Sequence, residues 1–491
     1  MTAFCATGAF AADYVPGELV VRIPPGGNVQ AIHDAWGTQT LEQLSLRSYV
    51  VTPPAGVNVE DCDQWLDADS NVESADPNWI TESPEAKSAI IIVAIGSSTT
   101  QYTDQGAFAR IGLAEAHQYS TGQGVRIALL DTGIDPSHPV FQGKLIAGYD
   151  FVDDDADPSE IATGVDEDGD GLTDEGFGHG TMVAGVIAAS VPDAEILPIR
   201  VLDDEGSGTL ASLIRGIDYA VSRGAQIINM SVGLAFESEP LENAVSDAED
   251  AGALLVAAAG NENTPTEIYP ASFGQVLSVT ALDSNDVKAS FSSYNEEVDV
   301  AAPGDGIYST YPGGTYARGS GTSFAAPFVT GAAALLFSAG TPGEPGDLAQ
   351  SLTDSVVVVD SLAGNAPFAG NLGQGRLDVE SALTGYLAEQ ATSVDGAFRP
   401  YGVQFFASPN PFRGATTIRL STPAGTTMPH ELEIYSLQGR RVRTIRSDSS
   451  DRGAWEWNGL DDRGRHVSAG VYLIRSNAGS LQSVGRLVHI R

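Results

Sequence analysis

Four short, uninterrupted apolar segments alternate with helix-like stretches in the middle of the sequence. The strand-like segments are residues 125–130, 196–202, 225–230 and 253–257. The stretches with helical periodicity are residues 181–189, 210–222 and 241–251. Because these strands do not alternate apolar with polar residues, both faces of their sheet must be covered. The pattern predicts a multidomain protein whose central domain is α/β, with a doubly wound, mainly parallel sheet.

Polar residues with catalytic chemistry follow these strands or open helices. They are Asp131 in Asp-Thr-Gly, His179 in Gly-His-Gly-Thr, Asn261 in Ala-Ala-Gly-Asn and Ser323 in Gly-Thr-Ser-Phe. Each motif alone is commonplace, since Asp-Thr-Gly also forms turns and His-Gly-Thr occurs by chance. An aspartic protease would need a second Asp-Thr-Gly, which the sequence lacks. Together, at the strand ends where such sheets collect ligands, an Asp, a His and a Ser are what a hydrolytic triad requires.

Residues 106–385, which contain these motifs, resemble the subtilisin-like serine proteases. The resemblance implies a serine-type endopeptidase that hydrolyses protein or peptide substrates without an organic cofactor. Asp131 would orient the imidazole, His179 would act as general base and then acid, and Ser323 would be the nucleophile. The side-chain amide of Asn261 and the backbone N–H of Ser323 would form the oxyanion hole.

The same resemblance assigns substrate binding to three glycine-containing segments. They are Gly206, Ser207 and Gly208, then Ser231, Val232 and Gly233, then Ala258, Ala259 and Gly260. The first would pair with an extended peptide, and the other two would form the walls of the primary pocket. Small residues on both walls predict room for a large apolar side chain before the cleaved bond.

An acidic loop precedes His179 and has the spacing of a calcium-binding loop. Its candidate ligands are Asp166, Asp168, Asp170, Leu172, Asp174 and Glu175. Carboxylates at relative positions 1, 3, 5 and 9, with glycine at 6, match the first part of an EF-hand loop. The glutamate expected at position 12 is replaced by Phe177, and Glu175 can take its place. The loop therefore predicts a structural Ca²⁺ site, with a solvated acidic loop as the alternative.

Residues 13–82 contain two strand–helix pairs and predict a small α+β domain. The strands are residues 18–23 and 48–52, and the helices are residues 29–36 and 59–66. In position and pattern this domain resembles the inhibitory propeptides of the same protease family, so the chain's own propeptide would be a partner and the protein a zymogen. A permanent accessory domain is the alternative. Residues 83–105 are predicted to be a linker that carries a processing site.

After a second predicted linker, residues 386–403, alternating strands predict a small β-sandwich over residues 404–491. The strands are residues 417–420, 432–435, 441–445, 471–474 and 486–490. The segments 408–412, 457–461 and 468–472 resemble FlgD-like immunoglobulin-type domains. This implies a sorting signal read by bacterial type IX secretion machinery, with a structural or adhesive module as the alternative.

Charge and termini restrict the remaining possibilities. The 491 residues include 25 Lys and Arg against 64 Asp and Glu, a formal net charge of −39, which argues against binding to nucleic acid. No apolar run approaches the roughly 20 residues of a membrane span. Residues 1–12 are apolar and end Ala-Phe-Ala-Ala, which predicts a clipped signal peptide, with an unstructured terminus as the alternative. We expect a secreted bacterial protein, extracellular or at the cell surface. A non-catalytic cell-surface binding protein is the rival interpretation.

Overall fold

The chain forms two compact units, residues 1–390 and 391–491. The computed structural model describes residues 14–85, 93–96, 98–166, 171–340 and 345–393. In the second unit it describes residues 404–408, 412–421, 431–436, 440–446, 454–468, 470–478 and 481–489. The predicted signal peptide and the calcium candidates Asp168 and Asp170 lie outside the described residues.

The N-terminal part of the first unit is an antiparallel sheet with two helices. Its elements are β1 Tyr14–Arg22, α1 Val29–Trp36, β2 Gln39–Gln43, β3 Ser48–Thr52, α2 Val59–Asp67 and β4 Ser74–Glu82. The strand order is β2-β3-β1-β4. Asn28 and Asn58 cap the two helices by accepting from backbone N–H groups of the first turn. Both predicted helices and both predicted strands are confirmed. β2 has no buried residue and therefore lacks the hydrophobic pattern that would have predicted it.

The central sheet has nine strands in the order β16-β17-β13-β12-β11-β10-β6-β8-β7. Strands β5 to β17, including those outside this sheet, are β5 Val93–Gly96, β6 Arg126–Asp131, β7 Tyr149–Asp150, β8 Glu195–Arg200, β9 Ser207–Thr209, β10 Ile227–Met230, β11 Leu254–Ala258, β12 Val276–Leu282, β13 Val300–Pro303, β14 Ile307–Tyr311, β15 Thr315–Gly319, β16 Val356–Val357 and β17 Arg376–Leu377. All neighbours from β7 to β17 are parallel, and only β16 is antiparallel to its neighbour. The predicted, mainly parallel sheet is confirmed.

Helices cover both faces of this sheet. They are α3 Thr99–Thr103, α4 Gly106–Arg110, α5 Leu113–Ala116, α6 His179–Ser190, α7 Leu210–Ser222, α8 Glu239–Asp250, α9 Thr322–Ala339, α10 Pro345–Asp354 and α11 Val379–Ser393. In β6, Ile127 and Leu129 pack with residues of α6 and α9, whereas Ala128 and Leu130 pack with residues of α7 and α8. Successive side chains of a strand point to opposite faces, and all β6 residues after Arg126 are buried.

Helix α9 is long and apolar enough to pass a test for membrane spans. However, 83% of its most apolar window is buried inside the protein. It therefore packs as the central core helix of the first unit, against α6 and the sheet.

The two predicted linkers contain more regular structure than expected. Strand β5, within residues 83–105, pairs antiparallel with β15, and α3 follows it. Helix α11 continues to Ser393, eight residues into the second predicted linker, residues 386–403. A short apolar segment forms a strand only where another strand offers an open edge, and the sequence does not show which edge that is.

The N-terminal sheet joins the central domain through β4, which pairs antiparallel with β9. Val20 and Val50 are buried in the same cluster as residues of α7 and α8. The Asp76 carboxylate accepts a hydrogen bond of 2.9 Å from the Ser238 hydroxyl, at the N-cap of α8. Burial raises the pKa of Asp76 to about 6. Strand addition, apolar burial and a helix cap therefore hold the two parts together.

The second unit consists of two antiparallel sheets. Its strands are β18 Gln404–Ser408, β19 Thr416–Ser421, β20 Glu431–Ser436, β21 Arg441–Arg446, β22 Ala454–Trp457, β23 Gly470–Ala478 and β24 Leu481–His489. The sheets have the orders β18-β19-β22 and β21-β20-β23-β24. One buried cluster takes Ile418 and Trp457 from the first sheet and Ile434 and Tyr472 from the second. The five predicted strands are confirmed, and β18 and β22 are additional.

Replacing Trp457 should unfold the second unit selectively. Trp457 is 1% exposed and contacts both Phe412 and Tyr472. A Trp457→Ala change should destabilise this unit by about 3–5 kcal/mol, because it leaves a large cavity. In calorimetry of the full chain, we expect one transition to fall in temperature or disappear while the main transition stays. The exposed Arg463→Ala is the control. A single transition that moves as a whole would contradict the independence of this core.

Candidate active site

Asp131 and His179 meet at the carboxyl edge of the central sheet. Asp131 is the last residue of β6, and His179 is the first residue of α6. Both are at most 1% exposed. The imidazole Nδ1 lies 2.6 Å from the Asp131 Oδ1, which also accepts from the backbone N–H of Thr132. This carboxylate fixes the tautomer of the ring, with a proton on Nδ1.

Ser323 and Asn261 complete the group of four predicted catalytic residues. Ser323 is the second residue of α9 and is fully buried. The Asn261 Oδ1 accepts from the backbone N–H and the hydroxyl of Thr322, at 2.9 and 3.0 Å. These contacts leave the Asn261 Nδ2 as a donor directed toward the helix start that carries Ser323. The four residues predicted from separate motifs are therefore brought into one site.

The carboxylate of Glu85 occupies the centre of this site. Its Oε2 accepts from the Ser323 hydroxyl at 2.7 Å and lies 3.0 Å from the His179 Nε2. Its Oε1 accepts from the Asn261 Nδ2 at 2.9 Å. A Cβ at Gly321 would lie 1.8 Å from Oε1, so only glycine leaves room for this oxygen. One carboxylate thus contacts the nucleophile, the base and the amide donor together.

The residues before Glu85 run through the cleft as an added strand. Glu82 exchanges two backbone hydrogen bonds with Gly233, at 3.0 and 2.7 Å, and the Ser83 N–H donates to Gly206 O at 2.8 Å. Glu82 also pairs with Ser207 across β4 and β9. We call residues 82–85 the tail. Two of the three predicted substrate-binding segments therefore hold an extended peptide, supplied by this chain itself.

The Ile268 side chain lies between the two predicted walls of the primary pocket, residues 231–233 and residues 258–260. A Cβ at Gly233 would lie 2.8 Å from the Ile268 Cγ2, and a Cβ at Gly260 would lie 3.1 Å from its Cγ1. The other wall residues, Ser231, Val232, Ala258 and Ala259, are buried. An isoleucine side chain therefore stands between the two small-residue walls, where the sequence predicted open space.

A second buried carboxylate, Glu160, supports the start of α6. Its Oε1 accepts from the backbone N–H groups of Gly178 and Gly180, at 3.1 and 3.0 Å, and from the Thr132 hydroxyl at 2.6 Å. Its Oε2 accepts from the Thr181 hydroxyl. Burial raises the pKa of Glu160, against the lowering effect of these hydroxyl donors. Glu160 thus connects the loop after β6 to the helix that carries His179.

The charges around His179 strongly favour its protonated form. Burial alone would lower the pKa of the imidazole, but the Asp131 and Glu85 carboxylates raise it well above its usual value. The attraction between Glu85 and the imidazolium is complete below the ordinary histidine pKa. It is lost as the pH rises through the raised pKa.

The described part of the predicted calcium loop does not form a cation cage. The Asp174 Oδ1 accepts from the backbone N–H groups of Thr163 and Gly164, and the Asp166 Oδ2 accepts from Gly171. Among the residues described by the structure, no three acidic, histidine or cysteine side chains gather in a way that could hold a metal ion. Of the other two described candidates, Leu172 is exposed and Glu175 is partly buried.

Three residues of this site were missed by sequence analysis: Glu85, Glu160 and Ile268. Glu85 lies in the segment that was predicted to be a linker. Glu160 follows a run of aspartates and looks like another solvated acid. Ile268 follows a polar loop with no strand or helix pattern. Their positions depend on contacts between distant segments, and no local motif reports such contacts.

Comparisons with known proteins agree with this architecture. Residues 122–379 match the subtilase family model (Peptidase_S8), and residues 2–78 match the fervidolysin N-terminal prodomain. Thermitase of Thermoactinomyces vulgaris is 42% identical over 253 residues, which cover 50% of this chain and 84% of thermitase. The thermophilic serine proteinase of Bacillus sp. (strain AK1) is 37% identical over 341 residues, which cover 67% of this chain and 79% of that protein.

A solved structure extends the similarity in fold to most of the chain. Fervidolysin from Fervidobacterium pennivorans superposes with a TM-score of 0.63 at 21% identity, covering 98% of this chain and 77% of fervidolysin. The matched family model spans the strands and helices that bring Asp131, His179 and Ser323 together. The chain therefore belongs to the subtilase family of serine-type endopeptidases, and its N-terminal domain is a fervidolysin-like prodomain.

Proposed function

We propose that the protein is a secreted zymogen that hydrolyses peptide bonds with Asp131, His179 and Ser323. The observation that carries this proposal is the Glu85 carboxylate, which the nucleophile, the base and the Asn261 amide all contact. A scissile carbonyl group must meet the same three groups to react. The tail that delivers this carboxylate pairs with the cleft as a peptide substrate would.

The proposed reaction proceeds by acyl transfer. The Ser323 Oγ attacks the peptide carbonyl carbon while its proton moves to the His179 Nε2. The carbonyl oxygen, now negative, accepts from the Asn261 Nδ2 and from the Ser323 backbone N–H. The imidazolium then protonates the departing amine. Water, activated by the same imidazole, releases the acid and restores Ser323. Asp131 holds the ring and stabilises its positive charge throughout.

Removing the nucleophile should abolish self-processing. We expect the intact full chain to lose an N-terminal segment that ends within residues 83–105, whereas Ser323→Ala should keep its full mass. Intact-mass spectrometry over time checks this. The control is Ser320→Ala, three residues earlier, whose hydroxyl donates to Asp305 outside the triad. If both the unmodified chain and Ser323→Ala stay full length, the self-processing part of the proposal fails. If both are cut equally, the role of Ser323 fails.

In the uncleaved chain, Glu85 keeps the site closed by occupying it with a side chain rather than with a cleavable bond. Its carboxylate takes the place of a product carboxylate, with one oxygen toward Asn261 and the other between Ser323 and His179. A hydrogen bond to a charged group contributes about 1.5–3 kcal/mol. Release of the tail must therefore replace several such contacts, which makes the prodomain a slow substrate.

Glu85→Gln should speed self-processing most at low pH. The wild-type tail gains from attraction to the imidazolium below the raised pKa of His179, and this gain disappears above it. We expect the variant to be processed about tenfold faster than wild type near pH 6, with the ratio falling toward one as the pH rises. Timed gel densitometry across pH measures this ratio. Glu82→Gln removes the same charge three residues earlier and is the control. A ratio of one at every pH would refute the role of Glu85.

Glu160 is proposed to position His179 through the backbone of α6. Glu160→Ala removes four hydrogen bonds and should lower kcat by about tenfold or more with little change in KM. Glu160→Gln keeps an acceptor for the two N–H groups and should lose less. Because it removes a negative charge that favours the imidazolium, it should also shift the acid limb of activity, expected near pH 6–7, to lower pH.

Steady-state kinetics across pH on the processed enzyme measures both effects of these Glu160 variants. The exposed Glu296→Gln is the matched control. Equal kcat and equal pH limbs in Glu160→Gln, Glu160→Ala and wild type would reject a positioning role.

Export and calcium binding remain parts of the proposal that rest on the sequence. The apolar segment 1–12 supports secretion. The two-sheet core of the second unit is compatible with a FlgD-like, immunoglobulin-type sorting domain that is recognised by type IX secretion machinery. Calcium binding by residues 166–175 rests on their spacing alone, and the reaction above does not involve the ion. The contacts of Ser323, His179 and Asn261 with one carboxylate favour an enzyme over the rival binding protein.

A further inference from the structure

The Ile268 side chain closes the space between the two walls of the primary pocket. Its Cγ2 and Cγ1 lie within 2.8 and 3.1 Å of where side chains would begin at Gly233 and Gly260. Ile268 is partly exposed, so its side chain is neither fully buried in the core nor fully exposed to solvent. A substrate side chain that enters between these glycines must therefore meet Ile268.

The backbone holds Ile268 firmly in this position. Its neighbour Tyr269 exchanges backbone hydrogen bonds of 2.7 and 2.9 Å with Leu234, the residue after Gly233. The Ser272 N–H donates to the Ile268 carbonyl at 2.9 Å. The Tyr269 ring packs on Phe273 with centroids 4.8 Å apart. A branched side chain on such a fixed backbone has few alternative rotamers and cannot easily move aside.

In the uncleaved chain, the tail carries small side chains just after Glu82, its last residue paired with the cleft. Ser83 and Pro84, which lie between the paired residue Glu82 and the catalytic centre, are both small and both buried. No large aromatic or aliphatic side chain is presented by tail residues 82–85. The small side chains of the tail are therefore consistent with a shallow primary pocket.

We infer that Ile268 is a specificity-determining residue that restricts cleavage to bonds after small side chains. The small wall residues alone predict a large apolar substrate side chain before the cleaved bond. The Ile268 side chain between the walls changes this expectation to a small one. The inference rests on the proposed function, because it concerns the pocket beside Ser323. In a pocket of fixed shape, one methylene changes kcat/KM by about 10- to 200-fold, so an added isoleucine side chain should exclude a phenyl ring.

The test measures kcat/KM for peptides that differ only in the residue before the cleaved bond: Ala, Leu and Phe. The full-length protein is first incubated until the N-terminal segment is removed. The wild type should favour Ala over Phe by roughly tenfold or more. Ile268→Gly should raise kcat/KM for the Phe peptide by roughly tenfold or more, with a much smaller change for the Ala peptide. Ile268→Val, which keeps the branch at Cβ, should retain the wild-type order.

Two controls separate this inference from folding and from the proposed function. Ile161→Gly changes an isoleucine that is 47% exposed and should leave the order of peptides unaltered. Labelling with diisopropyl fluorophosphate counts competent sites in every variant. A wild type that prefers Phe, or an Ile268→Gly variant with an unchanged order, would overturn the role of Ile268 while the protease assignment stands. Folded wild-type protein that neither labels nor cleaves any peptide would instead overturn the proposed function.

Discussion

The hydrogen bond between Asp131 and His179 depends on where one strand ends and one helix begins. A buried carboxylate is costly unless it accepts hydrogen bonds, and here the imidazole and the Thr132 N–H both donate to the Asp131 Oδ1. Both residues stay in place because β6 is an interior strand of a sheet that is covered on both faces. Helix α9, also buried, brings Ser323 to the same edge. The catalytic arrangement is thus a consequence of the parallel sheet and its two helix layers.

Two carboxylates contact the His179 imidazole in the uncleaved chain, and a third supports the start of the helix that carries it. Asp131 orients the ring, Glu160 holds the backbone at the start of α6, and Glu85 fills the space that a reacting carbonyl would need. So much buried negative charge is tolerated because nearly every oxygen accepts a hydrogen bond, and because the imidazolium offsets part of it. When the tail leaves, the site loses one charge and regains room for an oxyanion.

The same cleft explains both inhibition and selectivity. The strand Ser207–Thr209 and the residue Gly233 bind the tail through backbone atoms, which any peptide could supply. Selection among peptide substrates therefore depends on the primary pocket, whose depth is limited by Ile268. An inhibitory segment can bind along the cleft through its backbone while presenting only small residues to the pocket.

The sequence by itself determined the α/β class, the four candidate catalytic residues and most of the strands and helices. These features are local: buried strands are uninterrupted apolar runs, and Asp131, His179, Asn261 and Ser323 sit in short motifs beside them. Only the tertiary structure decided the positions of Glu85, Glu160 and Ile268, which lie in segments without periodicity. It also decided that β5 pairs with the edge of β15. A contact between residues far apart in the chain depends on which surfaces packing brings together, and no local pattern encodes that choice.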